Sequence, residues 1–292
     1  DHRDLHSFPT RRSSDLSPAA DNITALAYDA KGAALWIGTA DSGLNRMNLV
    51  TGDYTHFEAD PEDFTSLNSN EVLLLHVGSD GTLYVSTAGG VLQYYDPTYP
   101  GFNPVSVKYM VIAGEAETTA ITHDSEGFLW FSQNMGELLR LDPVSGQIRR
   151  FQLGSSELPG LAEDMILAIF ADENGILWLG TESQGLVRLD PTSGEIETYQ
   201  YDGTTGGPSH NSITNIVSDD EGSLWMGTAG GGLNKFDPRT EQFSYYTTQD
   251  GLPSNRVFGV AQDESGNLWL STGNGLARLS PDSGQVRIYD KI

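Results

Sequence analysis

The sequence predicts an all-β fold, a β-propeller with six four-stranded blades visible, on three observations. A Leu-aromatic pair recurs at Leu35-Trp36, Leu83-Tyr84, Leu129-Trp130, Leu177-Trp178, Leu224-Trp225 and Leu268-Trp269, with aromatic spacings of 48, 46, 48, 47 and 44 residues. Glycine is abundant, 33 of 292 residues, while charged residues make up only 19%. That composition fits many tight turns between short strands. No stretch carries a sustained helical period with caps. A fixed period of this length marks a repeat architecture. The expected copies span about 21–60, 69–108, 109–153, 164–201, 211–248 and 255–290.

Each copy reads as four strands in order. Strand one is placed at Ile23 to Tyr28 in the first copy and Ile213 to Ser218 in the fifth. A turn follows in which Asp precedes Gly by three residues: Asp29/Gly32, Asp124/Gly127, Asp172/Gly175, Asp219/Gly222 and Asp263/Gly266. The second copy has Gly78 in the Asp place. Asp accepts local backbone N–H bonds there and Gly supplies positive φ. Strand two carries the Leu-Trp pair and runs into Gly38-Thr39, Ser86-Thr87, Gly180-Thr181, Gly227-Thr228 or Ser271-Thr272, with Ser132-Gln133 in the third copy. Strand three, read at Leu186 to Leu189, ends in a basic residue: Arg46, Arg140, Arg188, Lys235 or Arg278, with Tyr94 in the second copy. Four copies then turn on Asp-Pro (Asp96, Asp142, Asp190, Asp237) and the last on Ser280-Pro281. Residues two apart share a strand face, so each basic residue is expected to pair with that Asp. Strand four, read at Glu195 to Tyr201, carries an aromatic: Phe57, Phe151, Tyr199, Tyr246 or Tyr289.

One such sheet cannot bury both faces alone, whereas radially stacked sheets can. The Trp row falls mid-strand in every copy. It is therefore expected to fill the space between blades, with a partner for each indole N–H.

The pattern D-x-x-G-x-L-W-x-G-T followed by G-L-x-R-x-D-P-x-S-G, clearest from Asp172 to Thr181 and Gly185 to Gly194, resembles the two-component regulator propeller repeat. The resemblance covers residues 21–290 and is weakest in the second and third copies. It implies a seven-bladed propeller, often in tandem, in the extracytoplasmic sensor part of bacterial membrane-bound histidine kinases or related signal-output proteins. Bacterial members often sense oligosaccharides. Six copies are one short of seven, so a missing blade and a longer parent are expected. Residues 4–16 resemble a translated sequencing adapter, and 1–16 are set aside as artefact or disordered tail, leaving 17–292 as propeller. Three acidic and three basic residues go with that segment, so the net charge stays at -24.

Composition excludes several function classes. Without Cys there is no disulfide scaffold, no Cys-ligated zinc and no thiol nucleophile. Forty acidic against 16 basic residues argue against nucleic-acid partners and anionic membrane surfaces. The longest apolar run, Met165 to Ala171, is too short to span a bilayer. Any membrane link is expected only through parent segments.

Catalytic patterns are sparse. Asp219-Asp220-Glu221 sits in a repeated turn and reads as a solvated face. Gly-x-Ser-x-Gly and His-Glu-x-x-His are absent. No metal and no cofactor are expected. A propeller lyase of the streptogramin type is the alternative, needing a His/Glu pair and a metal, and His210 is the well-placed histidine. A purely structural interaction propeller is a third reading.

Ligand contacts are sought where the repeat breaks on variable loops. The one-two and three-four turns share one end of a blade and are regular. The two-three links share the other end with the connectors Asp60 to Ser69, Leu153 to Glu163, Asp202 to His210 and Gln249 to Ser254. The candidate ligand contacts are Gln133, Asn134, Met135, Glu182, Gln184, His210, Arg256 and Asn274. Asp21, Asn70, Asp164, Asn211 and Asn255 recur before strand one and are read as caps of the connector. The expected partners are a small molecule or oligosaccharide and a neighbouring propeller or second copy.

Overall fold

A computed structural model describes residues 22–96, 99–104, 117–133, 136–152, 164–204 and 206–289. It contains six four-stranded sheets, each built from consecutive strands. Blade 1 holds β1 (Ile23–Asp29), β2 (Ala34–Thr39), β3 (Leu44–Asn48) and β4 (Tyr54–Phe57). Blade 2 holds β5 (Val72–Val77), β6 (Leu83–Thr87), β7 (Leu92–Asp96) and β8 (Tyr99–Pro104). Blade 3 holds β9 (Thr118–His123), β10 (Leu129–Gln133), β11 (Glu137–Leu141) and β12 (Ile148–Gln152). Blade 4 holds β13 (Ile166–Ala171), β14 (Leu177–Thr181), β15 (Leu186–Leu189) and β16 (Ile196–Tyr199). Blade 5 holds β17 (Ile213–Ser218), β18 (Leu224–Thr228), β19 (Leu233–Asp237) and β20 (Gln242–Tyr246). Blade 6 holds β21 (Val257–Gln262), β22 (Leu268–Thr272), β23 (Gly275–Ser280) and β24 (Gln285–Tyr289). The fold is the expected all-β propeller. Its described helical content is one 3-10 turn, Thr248–Asp250. Among the described residues no helix is long and apolar enough to cross a membrane.

The chain divides into two compact units: residues 1–118 with 142–148, and residues 119–141 with 149–292. In the first, Trp36 and Leu44 of blade 1 pack with Val72, Leu75, Leu83 and Val85 of blade 2. In the second, Trp130 packs on blade 4, Trp178 on blade 5 and Trp225 on blade 6. The Trp row is therefore inter-blade core, as expected, with these four indoles 1–3% exposed. Trp269 of blade 6 is half-buried, and no later blade follows it among the described residues. Every Trp also meets the strand-four aromatic of its own blade, with ring centroids 5.2–6.4 Å apart for Trp36–Phe57, Trp130–Phe151, Trp178–Tyr199, Trp225–Tyr246 and Trp269–Tyr289. That contact explains the conserved aromatic position within the repeat.

The indole N–H finds the acceptor that burial demands. In blades 3 to 6 the turn Asp takes it: Trp130 Nε1 donates to Asp124 (2.8 Å), Trp178 to Asp172 (3.2 Å), Trp225 to Asp219 (2.9 Å) and Trp269 to Asp263 (3.0 Å). The other carboxylate oxygen caps the turn, as where Asp172 Oδ1 accepts from Asn174 and Ile176 N–H. One Asp thus joins turn to core.

The basic residues correct the expected Asp pairing. Register places each directly across from the Trp: Trp36 opposite Arg46, Trp130 opposite Arg140, Trp178 opposite Arg188, Trp225 opposite Lys235 and Trp269 opposite Arg278. Lys235 Nζ lies 5.0 Å from the Trp225 ring centre and 3.4 Å from Asp219, while Asp237 pairs with Arg239 instead. Arg140 pairs with Glu126 and lies over Phe128 and Trp130. Cation–π attraction and the one-two turn hold Arg46, Arg140 and Lys235. Arg188 keeps an electrostatic pull on Asp190, the weakest of the influences on that carboxyl. Strand four is shorter than expected, Ile196–Tyr199 rather than Glu195 to Tyr201. Glu195 N–H bonds Ser193 and Tyr201 N–H bonds Asn211, so both ends belong to turns.

Blades also meet through strand one. Thr24 Oγ1 donates to Val72 O, Thr119 to Ile166 O and Thr214 to Val257 O, at 2.6–2.7 Å. The Gly two residues after the Trp, within the same strand, permits that approach. A Cβ on Gly180 would stand 2.8 Å from Ile213 O, and one on Gly227 2.9 Å from Val257 O.

Burial pushes the Asp219 carboxyl up, but hydrogen bonds from Trp225 and Ser223 and the Lys235 charge outweigh it and hold it below the usual carboxylate range. A depressed folded pKa contributes stability above the unfolded value of about 3.9 and loses it as pH falls through the folded value. Thermal melts should therefore show Asp219→Asn losing less stability than wild type on acidification below about pH 4. Identical pH profiles would contradict the clasp.

Candidate functional site

The connector end of each blade is built on a repeated joint. The Asn before strand one takes two N–H groups from the preceding blade. Asn70 Oδ1 accepts from Ala59 (2.7 Å), Asn211 Oδ1 from Tyr201 (2.7 Å) and Asn255 Oδ1 from Thr248 (2.8 Å). Their carbonyls accept from Gly43, Gly185 and Gly232 of the two-three link. These are the expected connector caps. Asp164 departs from the pattern: its Oδ2 accepts from Ser183 and Gln184 N–H of its own blade, each at 2.9 Å.

Most of the candidate ligand contacts sit on this frame. Gln133 closes β10 opposite Glu137 and is 4% exposed. Asn134 and Met135 lie outside the described residues. Glu182 is exposed beside Gln184, whose side-chain oxygen accepts from Gln200 Nε2 at 2.9 Å. His210 is half-buried, its Nδ1 accepting from Ser212 N–H at 2.9 Å. It packs beside Gly230, where a Cβ would press to 3.2 Å from the ring. Arg256 is exposed, its guanidinium 5.4 Å from the Phe258 ring centre. Asn274 reaches back to donate to Pro253 O at 3.0 Å. The structure thus brings Glu182 with Gln184, and Arg256 with Asn274, each pair within one blade. Glu182 and Arg256 keep solvent-facing charge, whereas Gln184 and Asn274 also fasten loops. Among the described residues no group of three His, Asp or Glu side chains is arranged to hold a metal.

A recess lies at the opposite end, in the first compact unit. Asp29, Lys31 and Gly32 of the blade 1 turn, Asp80 and Gly81 of the blade 2 turn, and Trp36, Arg46, Thr55, Phe57 and Tyr95 line a cavity of about 440 Å³. This corrects the expectation that the one-two turns are regular. Asp and Trp stand six residues apart in blades 3 to 6 but seven apart in blade 1. The extra residue leaves Ala33 at φ 43°, and Asp29 Oδ1 accepts from Gly32 N–H instead of the indole. That one-residue difference was the sequence signal for the cavity. Blade 2 changes the whole set, with Gly78, Tyr84 and Tyr94 for Asp, Trp and the basic residue. Burial, then Asp80 and Tyr94, pushes the Tyr84 hydroxyl up to about 12.

Comparison with known proteins gives a family match over three segments of the chain and a fold. Residues 160–183, 207–230 and 251–274 match the two component regulator propeller family. No curated protein matches the sequence. Among solved structures, the extracellular domain of a hybrid two component system from B. thetaiotaomicron aligns with a TM-score of 0.60 at 20% identity, over 94% of this chain and 42% of that one. This chain therefore spans less than half of that domain. Virginiamycin B lyase from Staphylococcus aureus aligns at 0.69 and 15% identity, over 92% of this chain and 84% of that one. Its catalytically inactive form with quinupristin aligns at 0.70 and 16%, with the same coverages. At these identities the likeness is one of fold.

Removing the connector acceptor should cost stability where exposed candidates do not. Asn211→Ala should lose about 1 kcal/mol in urea denaturation, while Glu182→Ala and Arg256→Ala stay within about 0.5 kcal/mol of wild type. Equal losses would place Glu182 and Arg256 in the frame rather than on a free surface.

Proposed function

We propose that this chain, built on two-component regulator propeller repeats, is the non-catalytic, extracytoplasmic ligand-sensing propeller of a bacterial two-component signal-transduction regulator. The observation that carries the reading is the match of three 24-residue segments, one in each of blades 4, 5 and 6, to that family, spaced as the repeat is spaced. The alignment with the extracellular domain of a hybrid two component system supports it at the level of fold. A ligand held at the connector end, near Glu182 and Arg256, would shift the balance between arrangements of this propeller and a neighbouring propeller or second copy. A neutral oligosaccharide suits a surface with half-exposed amides and aromatics. The net charge of -24 favours neutral or cationic partners over acidic glycans and nucleic acid.

The lyase likeness supports a second, enzymatic reading. His210 would be its histidine, and its described hydrogen bond is to Ser212 N–H. Calorimetric titration with neutral hexasaccharides should give saturable binding that Arg256→Ala weakens. Preference for a polyuronate would overturn the charge argument. Turnover of quinupristin, lost in His210→Ala, would overturn the non-catalytic reading.

A further inference from the structure

Blade 5 shows what the blade 1 cavity lacks. There, Asp219 Oδ2 stands between two donors, Trp225 Nε1 at 2.9 Å and Lys235 Nζ at 3.4 Å. Blade 1 keeps both donor positions, Trp36 on β2 and Arg46 opposite it on β3. It lacks the carboxylate between them, because the lengthened turn carries Asp29 to Gly32 N–H. Trp36 is 2% exposed, and among the described residues its indole N–H has no hydrogen-bond partner. Arg46 Nη2 donates to Gly32 O at 3.1 Å, with its guanidinium 5.7 Å from the Trp36 ring centre. Both residues line the cavity of about 440 Å³. An otherwise buried indole that borders a cavity beside a cation offers two converging donors to an acceptor held there.

We propose that this cavity binds a small organic monocarboxylate, whose carboxylate takes the place of the missing Asp between Trp36 Nε1 and Arg46. Phe57 and Tyr95, whose rings pack against Trp36 at 5.7 and 5.4 Å, form an apolar wall for the ligand body. Lys31 and Arg46 are balanced in the lining by Asp29 and Asp80, which works against a ligand carrying two or three negative charges. The overall charge does not forbid it. At physiological salt, exposed charges beyond about 8 Å are largely screened, and the donors are local. This site is independent of the connector-end reading and stands at the other end of the blade.

The test follows the indole N–H signals of the ¹⁵N-labelled full chain by NMR, with Trp36 assigned from Trp36→Phe. Sodium 3-phenylpropionate should move the Trp36 signal saturably and leave those of Trp130, Trp178 and Trp225 in place. The neutral 3-phenylpropionamide should bind about tenfold more weakly or worse. Arg46→Gln should weaken 3-phenylpropionate binding by about tenfold while keeping the Trp36 signal. Deleting Ala33 restores the six-residue spacing and should abolish the response, with Asp29 returned to the indole. A Trp36 signal that does not saturate, equal shifts with the amide, or equal shifts with sodium phosphate at matched ionic strength would each overturn the proposal.

Discussion

A buried indole N–H calls for an acceptor, and in blades 3 to 6 this propeller supplies one from the turn that precedes the Trp strand. The same carboxylate that caps the Asp-x-x-Gly turn reaches the Trp six residues on. Turn conformation, strand register and inter-blade packing are thereby tied to one side chain. Losing the acceptor would strand a donor in the core at a cost of about 1–3 kcal/mol. The second blade respects the constraint by abandoning it as a set: where Tyr84 replaces Trp, Gly78 replaces Asp and Tyr94 replaces the cation. The first blade keeps Trp36 and Arg46 but displaces Asp29, and there a cavity opens.

Around that clasp the blades are joined by backbone approach rather than by charge. Thr24, Thr119 and Thr214 reach carbonyls on the next blade, and the Gly of the Trp strand makes room for it. Asn70, Asn211 and Asn255 close the other end of the joint. The large negative charge has little part in this frame: ion pairs among the described residues are few and mostly exposed, a class that contributes little to stability.

The fold was legible because its signals repeat. The Leu-Trp strand, the Asp turn and the Asn connector occur often enough for period to reveal role. Strand three was read to the residue at Leu186–Leu189. What repeats less often was harder to see. The strand-one Thr appears in alternate blades only, with Leu73 and Leu167 between. For the basic residues, i, i+2 proximity along one strand is visible in sequence and points to the Asp. The cross-strand register that sets Lys235 against Trp225 is not. The candidate ligand contacts were found by variation, and variation does not separate a free Arg256 from an Asn274 that ties down Pro253.

The most direct test of the clasp is a double-mutant cycle on Asp124→Ala and Trp130→Phe, measured by equilibrium denaturation. Asp124 also caps its own turn through Glu126 and Phe128 N–H, and the cycle separates that role from the bond to Trp130. A favourable coupling of about 0.5–3 kcal/mol is the predicted result. Additive losses, with no coupling, would show that turn and core are stabilised independently and contradict the account.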